Sequence, residues 1–567
     1  MPNPNLSFTT TLASALADLG IEHACLSPGS RNTPLIAGFA AEKRIRAWPL
    51  LDERAAGFFA TGLARATGRP VVLVCTSGSA AAEYHPAVVE ASQSDVPLII
   101  LTADRPPELR GVGAPQTIDQ ISLYGSSVRL FIDAPTPTTA TTSREAADLA
   151  ITAWRAASAG IPGPAHINLP FREPLLTDIS SPGPEPIDLP TENAAEPLDL
   201  SHLTGIIDGR RGIIVAGRSN DVEFAEACVN LATATGYPIV ADPLSGLRHG
   251  SHQLEHVLAS GDALAAAGAL DLLTPDLVLR FGPVPTSKAT RSWLEDHPAV
   301  EQLLIDADSR DATSSAASIL AVPLAVAATS LNAIVTETAP PEWTSRWRAL
   351  DKAASKAIAD TSRIAPFPNE PAVARIVMDS APPGSYVTVG SSMPIRDVDT
   401  FGGKSGRPIR IFGNRGTNGI DGVVSAALGT AATGRPAIVL VGDVSMLHDL
   451  NALGTAAQLD LPLTIIVINN DGGGIFHFLP QRDPDVLDPA TFDKYLGTPH
   501  GTDFVAVATA LGLEASNVDE ADELAQLVSS ADDRPRLIQV RTDRNDNVEV
   551  HRDIAAAVNA AVTATLT

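Results

Sequence analysis

The feature that most constrains this chain is a recurring short run of apolar, largely β-branched residues, separated by alanine-rich stretches of helical length. Val71–Cys75, Leu98–Thr102, Ile213–Ala216, Leu277–Arg280, Leu303–Asp306, Tyr386–Val389, Ala437–Val441, Leu463–Ile468 and Leu537–Val540 are examples. A strand with one wet face alternates polar and apolar residues. Runs that are almost wholly apolar predict strands covered on both faces, hence parallel sheets in an α/β architecture with flanking helices. Aromatic residues make up only 4% of the 567 residues, so the core must rest on Ala, Val, Leu and Ile.

Two proline-rich stretches divide these runs. Pro174 to Leu200 carries six prolines among acidic and small residues, and Thr336 to Trp343 contains Pro340-Pro341. Such segments bury too little to fold alone and read as spacers. They predict three α/β domains, at 1–180, 195–340 and 365–567, with Pro366-Phe367-Pro368 opening the last.

The formal net charge of −25 disfavours nucleic acid and anionic lipid as partners. Cys25, Cys75 and Cys228 form neither a disulfide framework nor a CxxC pattern. The polar start Met1-Pro2-Asn3-Pro4-Asn5 has no basic segment leading into an apolar one, and no apolar run approaches the ~18 residues of a membrane helix. A cytoplasmic protein without membrane insertion is expected.

The strongest chemical signal lies near the C-terminus. Strand Ala437–Val441 runs into Gly442-Asp443-Val444-Ser445, and strand Leu463–Ile468 into Asn469-Asn470-Asp471-Gly472-Gly473-Gly474. Asp443 and Asn470 are 27 positions apart, which fits strand end, helix and next strand end. Both side chains then emerge at the carboxyl edge of one parallel sheet, where open α/β folds bind ligands. A carboxylate, an amide oxygen and a backbone carbonyl are hard ligands suited to Mg2+. The glycines admit a diphosphate to the backbone. Either phrase alone is an ordinary helix cap or loop; the pair at this spacing is not.

Gly-Asp-x-Ser followed by Asn-Asn-x-Gly resembles the diphosphate-binding signature of thiamine-diphosphate enzymes. The resemblance implies that Asp443, Asn470 and the Gly472 carbonyl hold Mg2+, with Mn2+ as an alternative ion. Ser392, Gly442, Val444, Ser445, Gly473, Gly474 and Ile475 would complete the cofactor's cradle. It also implies a glutamate that hydrogen-bonds N1′ of the aminopyrimidine, and Glu53 in Leu51-Asp52-Glu53-Arg54-Ala55-Ala56-Gly57 matches that segment. On its own Glu53 is simply a first-turn helix charge. In this superfamily the glutamate and the metal triad come from different subunits, implying a homodimer or homotetramer with active sites at subunit interfaces.

Further phrases narrow the resemblance. Ser27-Pro28-Gly29-Ser30-Arg31-Asn32-Thr33-Pro34, Ala103-Asp104-Arg105-Pro106, Gln116-Thr117-Ile118-Asp119-Gln120 and Phe412-Gly413-Asn414-Arg415-Gly416-Thr417-Asn418-Gly419-Ile420 are similar to the 2-succinyl-5-enolpyruvyl-6-hydroxy-3-cyclohexene-1-carboxylate synthase family of menaquinone biosynthesis. This resemblance implies a transferase (carboligase). The enzyme would decarboxylate 2-oxoglutarate and add the resulting succinyl carbanion to isochorismate. Both substrates are dicarboxylates, which arginine forks match. Ser30, Arg31, Arg105, Gln116, Lys288, Ser392, Arg396 and Arg415 are the implied substrate contacts. Ile475 and Phe476 are implied walls beside the thiazolium, and Ile420 the wedge beneath the cofactor. His477 reads as a loop residue.

The chain departs from the family at Pro115, where Asn is usual, and at Ala289, where some members carry Arg, leaving Lys288 or Arg291 for that contact. The central Ile213-Ile214-Val215-Ala216-Gly217-Arg218 lacks a full GxGxxG and is assigned no dinucleotide. An acetolactate-type carboligase and a non-catalytic cofactor-binding protein are the competing readings. The first predicts pyruvate turnover, the second cofactor binding without CO2 release.

Overall fold

A computed structural model describes residues 3–141, 143–177, 198–530 and 534–566. Every strand pair in it is parallel, in three six-stranded sheets. The first contains β1 (His23–Leu26), β2 (Arg46–Pro49), β3 (Val71–Cys75), β4 (Leu98–Asp104), β5 (Leu130–Asp133) and β6 (Pro164–Pro170), in the order β2-β1-β3-β4-β6-β5. The second contains β7 (Gly212–Ala216), β8 (Ile239–Ala241), β9 (Val257–Leu258), β10 (Leu277–Phe281), β11 (Glu301–Ile305) and β12 (Ser318–Leu320), ordered β12-β11-β10-β7-β8-β9. The third contains β13 (Tyr386–Val389), β14 (Arg410–Phe412), β15 (Ala437–Gly442), β16 (Leu463–Asn469), β17 (Glu514–Asn517) and β18 (Arg536–Arg541), ordered β14-β13-β15-β16-β18-β17. All nine apolar runs form strands, and helices flank each sheet.

The chain clusters into two compact units. One comprises Met1–Asn193, Asn414–Arg435 and Leu447–Leu461; the other Ala194–Gly413, Pro436–Met446 and Pro462–Thr567. In the first unit, helix Glu53–Thr67 packs backbone to backbone on helix Val423–Ala431. A Cβ at Gly62 would lie 1.9 Å from the Ala426 carbonyl oxygen, and one at Gly429 2.0 Å from that of Phe59. Only glycine permits this approach, which locks the middle of the helix that begins at Glu53.

The second unit contains two sheets with separate apolar cores. Residues such as Ile214, Leu279, Leu303 and Trp347 fill one, and Val387, Leu440, Ile466 and Ile538 the other. One expectation changes here. Pro340-Pro341 does not sit inside a linker: helix Pro341–Ile364 starts at Pro341, and Trp343 is 4% exposed in the core. Proline is tolerated in a first helical turn, where its missing N–H has no partner to lose. Residues 178–197, most of the other predicted linker, lie outside the described residues. No described helix is long and apolar enough to cross a membrane.

Candidate active site

Sheet order places β15 beside β16, so their carboxyl ends are adjacent. Asp443 begins the helix after β15, and Asn470 follows β16 directly. The Asp443 carboxylate is 2% exposed. Its Oδ1 accepts the Val444 N–H at 2.7 Å and its Oδ2 the Gly472 N–H at 2.9 Å. Burial raises its pKa, opposed by these amides and by His500. Gly472 has φ +137°, and a Cβ there would lie 1.8 Å from the Gly497 carbonyl oxygen. The Gly-Gly-Gly run is therefore pressed against a neighbouring turn, which Gly473 N–H also bonds through the same Gly497 oxygen at 2.8 Å.

Asn470 donates its Nδ2 to the Glu370 carboxylate at 2.8 Å. Its Oδ1 is shielded from solvent and has no hydrogen-bond partner. A solvent-shielded amide oxygen without a donor, next to a buried carboxylate, is a poor arrangement for a bare fold and a good one for a hard cation. The donor set fits a divalent ion. Among the described residues no group of three or more His, Cys, Asp or Glu could hold a metal instead.

Two of the residues shaping this corner escaped the sequence reading. His500 places Nε2 3.3 Å from Asp443 Oδ2, while its Nδ1 accepts the Thr502 N–H at 3.0 Å, so Nε2 carries the proton. Glu370 is 1% exposed and also accepts from Thr542 Oγ1 at 3.1 Å. Burial and the nearby Asp397 push its pKa up to about 7. Asp397 in turn meets His551 Nε2 at 2.9 Å, and His551 Nδ1 meets the Asn547 carbonyl at 2.8 Å. Both partners are acceptors, so both ring nitrogens carry protons, and the imidazolium offsets the carboxylate pair. Burial opposes that charge, but Asp397, the Asn547 carbonyl and Glu370 together outweigh it, and the His551 pKa ends above its ordinary value.

The same unit carries five other expected contacts. Ser392, at φ +81°, stands just before helix Met393–Phe401 after β13, and Arg396 one turn on donates Nη1 to the Ser392 carbonyl. Ile475 and Phe476 lie half-buried in the turn Gly474–Phe478 that follows the glycines. His477 is buried edge-on to Phe492. Lys288 is exposed at the start of helix Lys288–Asp296, whereas Arg291 pairs with Glu295 at 3.4 Å. The cap of that helix, Ser287, donates Oγ to Asp262 Oδ1 at 2.6 Å, and Asp262 Oδ2 accepts Thr400 Oγ1 at 2.6 Å. Asp262 thus ties the Lys288 segment to the helix that bears Arg396.

In the N-terminal unit, Asp52 caps helix Glu53–Thr67 by accepting the Ala55 N–H at 3.0 Å, which leaves Glu53 at the first position. Burial raises the Glu53 pKa, reinforced by Asp52 and Glu83. Ser30 is exposed in the turn after β1. Arg31 is buried, bonding the Phe171 carbonyl at 3.0 Å and Glu173 at 2.9 Å. Arg105 follows β4 and donates to the Pro115 carbonyl at 3.0 Å. Burial lowers its pKa, and the Arg31 charge lowers it further. Gln116, at φ +55° after Pro115, donates to the Ser77 carbonyl at 3.1 Å. Ile420 is 38% exposed. The loop bearing Arg415 and Ile420 is anchored by Glu90, another residue the sequence reading missed. Its carboxylate accepts Gly416 N–H at 2.9 Å, Thr417 N–H at 2.8 Å and Arg65 Nη2 at 3.2 Å.

Three family models match the chain in order. They are the N-terminal TPP binding domain of thiamine pyrophosphate enzymes over residues 6–123, the middle domain of thiamine pyrophosphate over 199–385, and the C-terminal TPP binding domain over 404–540. With the three parallel sheets, they define a thiamine-diphosphate enzyme. The chain is 41% identical to the 2-succinyl-5-enolpyruvyl-6-hydroxy-3-cyclohexene-1-carboxylate synthase of Chloroflexus aurantiacus, over 98% of this chain and 96% of that one. It is 40% identical to the synthase of that name from Bacillus velezensis, over 98% of each chain. The Natronomonas pharaonis synthase is 39% identical over 99% of each. The chain belongs to the 2-succinyl-5-enolpyruvyl-6-hydroxy-3-cyclohexene-1-carboxylate synthase family.

Proposed function

We propose that this chain decarboxylates 2-oxoglutarate and joins the remaining succinyl unit to isochorismate in conjugate fashion, releasing CO2. The observation that carries the reading is coverage: synthases of that name align with 98% of the chain, not with its cofactor domains alone. Asp443, Asn470 and the Gly472 carbonyl would hold Mg2+, and the Gly473-Gly474 turn would receive the diphosphate. Bound thiamine diphosphate supplies the carbon nucleophile and the electron sink for decarboxylation.

The protein's share is proton control and charge. Glu53, whose pKa is raised by burial, would hydrogen-bond N1′ of the aminopyrimidine. Arg31, Arg105, Arg396, Arg415 and Lys288, with Ser30, Gln116 and Ser392, bind the substrate carboxylates. Ile475 and Phe476 would exclude water beside the reacting carbons, and Ile420 would support the cofactor. The active form is a homodimer or homotetramer in which Glu53 of one subunit serves the cofactor held by the metal triad of another. Leu51, 77% exposed only two residues before Glu53, is consistent with a surface covered on assembly.

The test compares 2-oxoglutarate with pyruvate as the source of CO2, with Mg2+ and thiamine diphosphate present. Release from 2-oxoglutarate is expected; release from pyruvate alone would favour an acetolactate-type carboligase, and no release from either a non-catalytic protein.

A further inference from the structure

Glu370 lies in the first turn of helix Glu370–Ser380, where Asn369 caps the helix by accepting the Ala372 N–H at 2.9 Å. A first-turn glutamate is normally solvated. This one is 1% exposed, and burying a carboxylate is costly unless its lone pairs are used. Its Oε1 receives two donors, Asn470 Nδ2 at 2.8 Å and Thr542 Oγ1 at 3.1 Å.

Glu370 Oε1 receives the NH2 side of the Asn470 amide, and an accepting oxygen at that place can face only that side. The two sides of that amide are nearly equal in size, and packing alone distinguishes them poorly. With NH2 turned to Glu370, Oδ1 points away, and it is the solvent-shielded atom without a partner. The alternative flip would aim two N–H donors toward the cation site. Gly474 leaves room for the observed orientation, since a Cβ there would come within 2.6 Å of Asn470 Nδ2.

We infer that Glu370 is a positioning residue that fixes the Asn470 amide with its oxygen toward the metal. The inference rests on reading Asp443, Asn470 and Gly472 as the metal ligands. It assigns Glu370 a role in ion affinity rather than in the chemical step.

The test titrates Mg2+ into the full-length protein with thiamine diphosphate, following intrinsic tryptophan fluorescence and calorimetric heat, with thermal melting as the check on folding. Glu370→Met keeps the volume and removes the acceptor. It is expected to raise the Mg2+ concentration at half-saturation by about 10–100-fold, while kcat at saturating Mg2+ stays within about 3-fold. Glu370→Gln, whose carbonyl can accept the same N–H, is expected to stay within about 3-fold of the parent in both.

Wild-type Mg2+ dependence in Glu370→Met, with cofactor binding lost in Asp443→Ala, would overturn the role of Glu370 alone. Unchanged binding in Asp443→Ala would overturn the ligand reading beneath it. Should Glu370→Met fail to fold, the near-isosteric pair Asn470→Asp and Glu370→Gln/Asn470→Asp decides. The single variant opposes two carboxylates; the double restores a hydrogen bond of reversed polarity. Recovery of Mg2+ affinity by about 10-fold or more in the double supports the inference, and no recovery overturns it.

Discussion

Glu90 accepts both the backbone N–H and the hydroxyl of Thr417, at 2.8 and 3.0 Å, across 327 positions of sequence. Through this contact a helix beside the first sheet fixes the loop that presents Arg415. Glu90 and Arg65 are both buried, with side chains 1% and 4% exposed. Removing one member of a buried pair strands the other charge, so Glu90→Ala should cost about 3–5 kcal/mol in denaturant unfolding. Glu90→Gln should fold but loosen the loop, raising KM for the dicarboxylate substrates more than it lowers kcat. Unchanged KM would mean that Arg415 does not depend on this anchor.

Glu53→Gln removes the acid while preserving size and the helix start. With the cofactor still bound, kcat should fall by about 10²–10⁴-fold, the usual range for general acid–base groups. Calorimetric affinity for thiamine diphosphate should change little. Near-normal turnover would remove Glu53 from cofactor activation.

Gly472→Ala meets a backbone carbonyl and an unfavourable φ together. Strain of this kind costs about 1–3 kcal/mol, so cofactor affinity should drop by roughly 10–100-fold in a Mg2+-dependent binding titration. Wild-type affinity would show that the loop need not hold this shape.

Asp449 gives a pH signature independent of catalysis. It is 0% exposed and accepts the Ser425 N–H at 2.7 Å and Oγ at 2.8 Å. Burial raises its pKa from 3.8 to about 6. The fold therefore holds this proton more tightly than the unfolded chain does. The stabilisation is complete below pH ~4 and is lost as pH rises through about 6, an effect on the order of 2–3 kcal/mol. Asp449→Asn should remove that part of the pH dependence, so that the gap between the two stability curves changes from pH 4.5 to 7 in urea unfolding. Parallel curves would contradict the assignment.

The sequence made some of this legible and hid the rest for physical reasons. Apolar strands such as β15 and β16 were readable because both of their faces are buried. Strand β6 was not: His166 and Asn168 lie within it, and they are buried because a polar network with Thr102, Asp104 and Gln120 satisfies them. Edge strands β2 and β17 carry charge or polar residues where one side meets solvent. Asp443 and Asn470 stood out because each sits in a distinctive phrase at a strand end. Glu370 and Glu90 did not, since each acts on a residue 100 or more positions away and neither lies in such a phrase. Arg31 and Arg105 were found through their phrases, but the carbonyls of Phe171 and Pro115 that hold them emerged only from the fold.

The most direct test supplies Mg2+, thiamine diphosphate and 2-oxoglutarate, with and without isochorismate, and follows CO2 release and isochorismate loss together. Consumption of isochorismate in step with CO2 is the expected result. CO2 release that leaves isochorismate untouched would contradict the assignment.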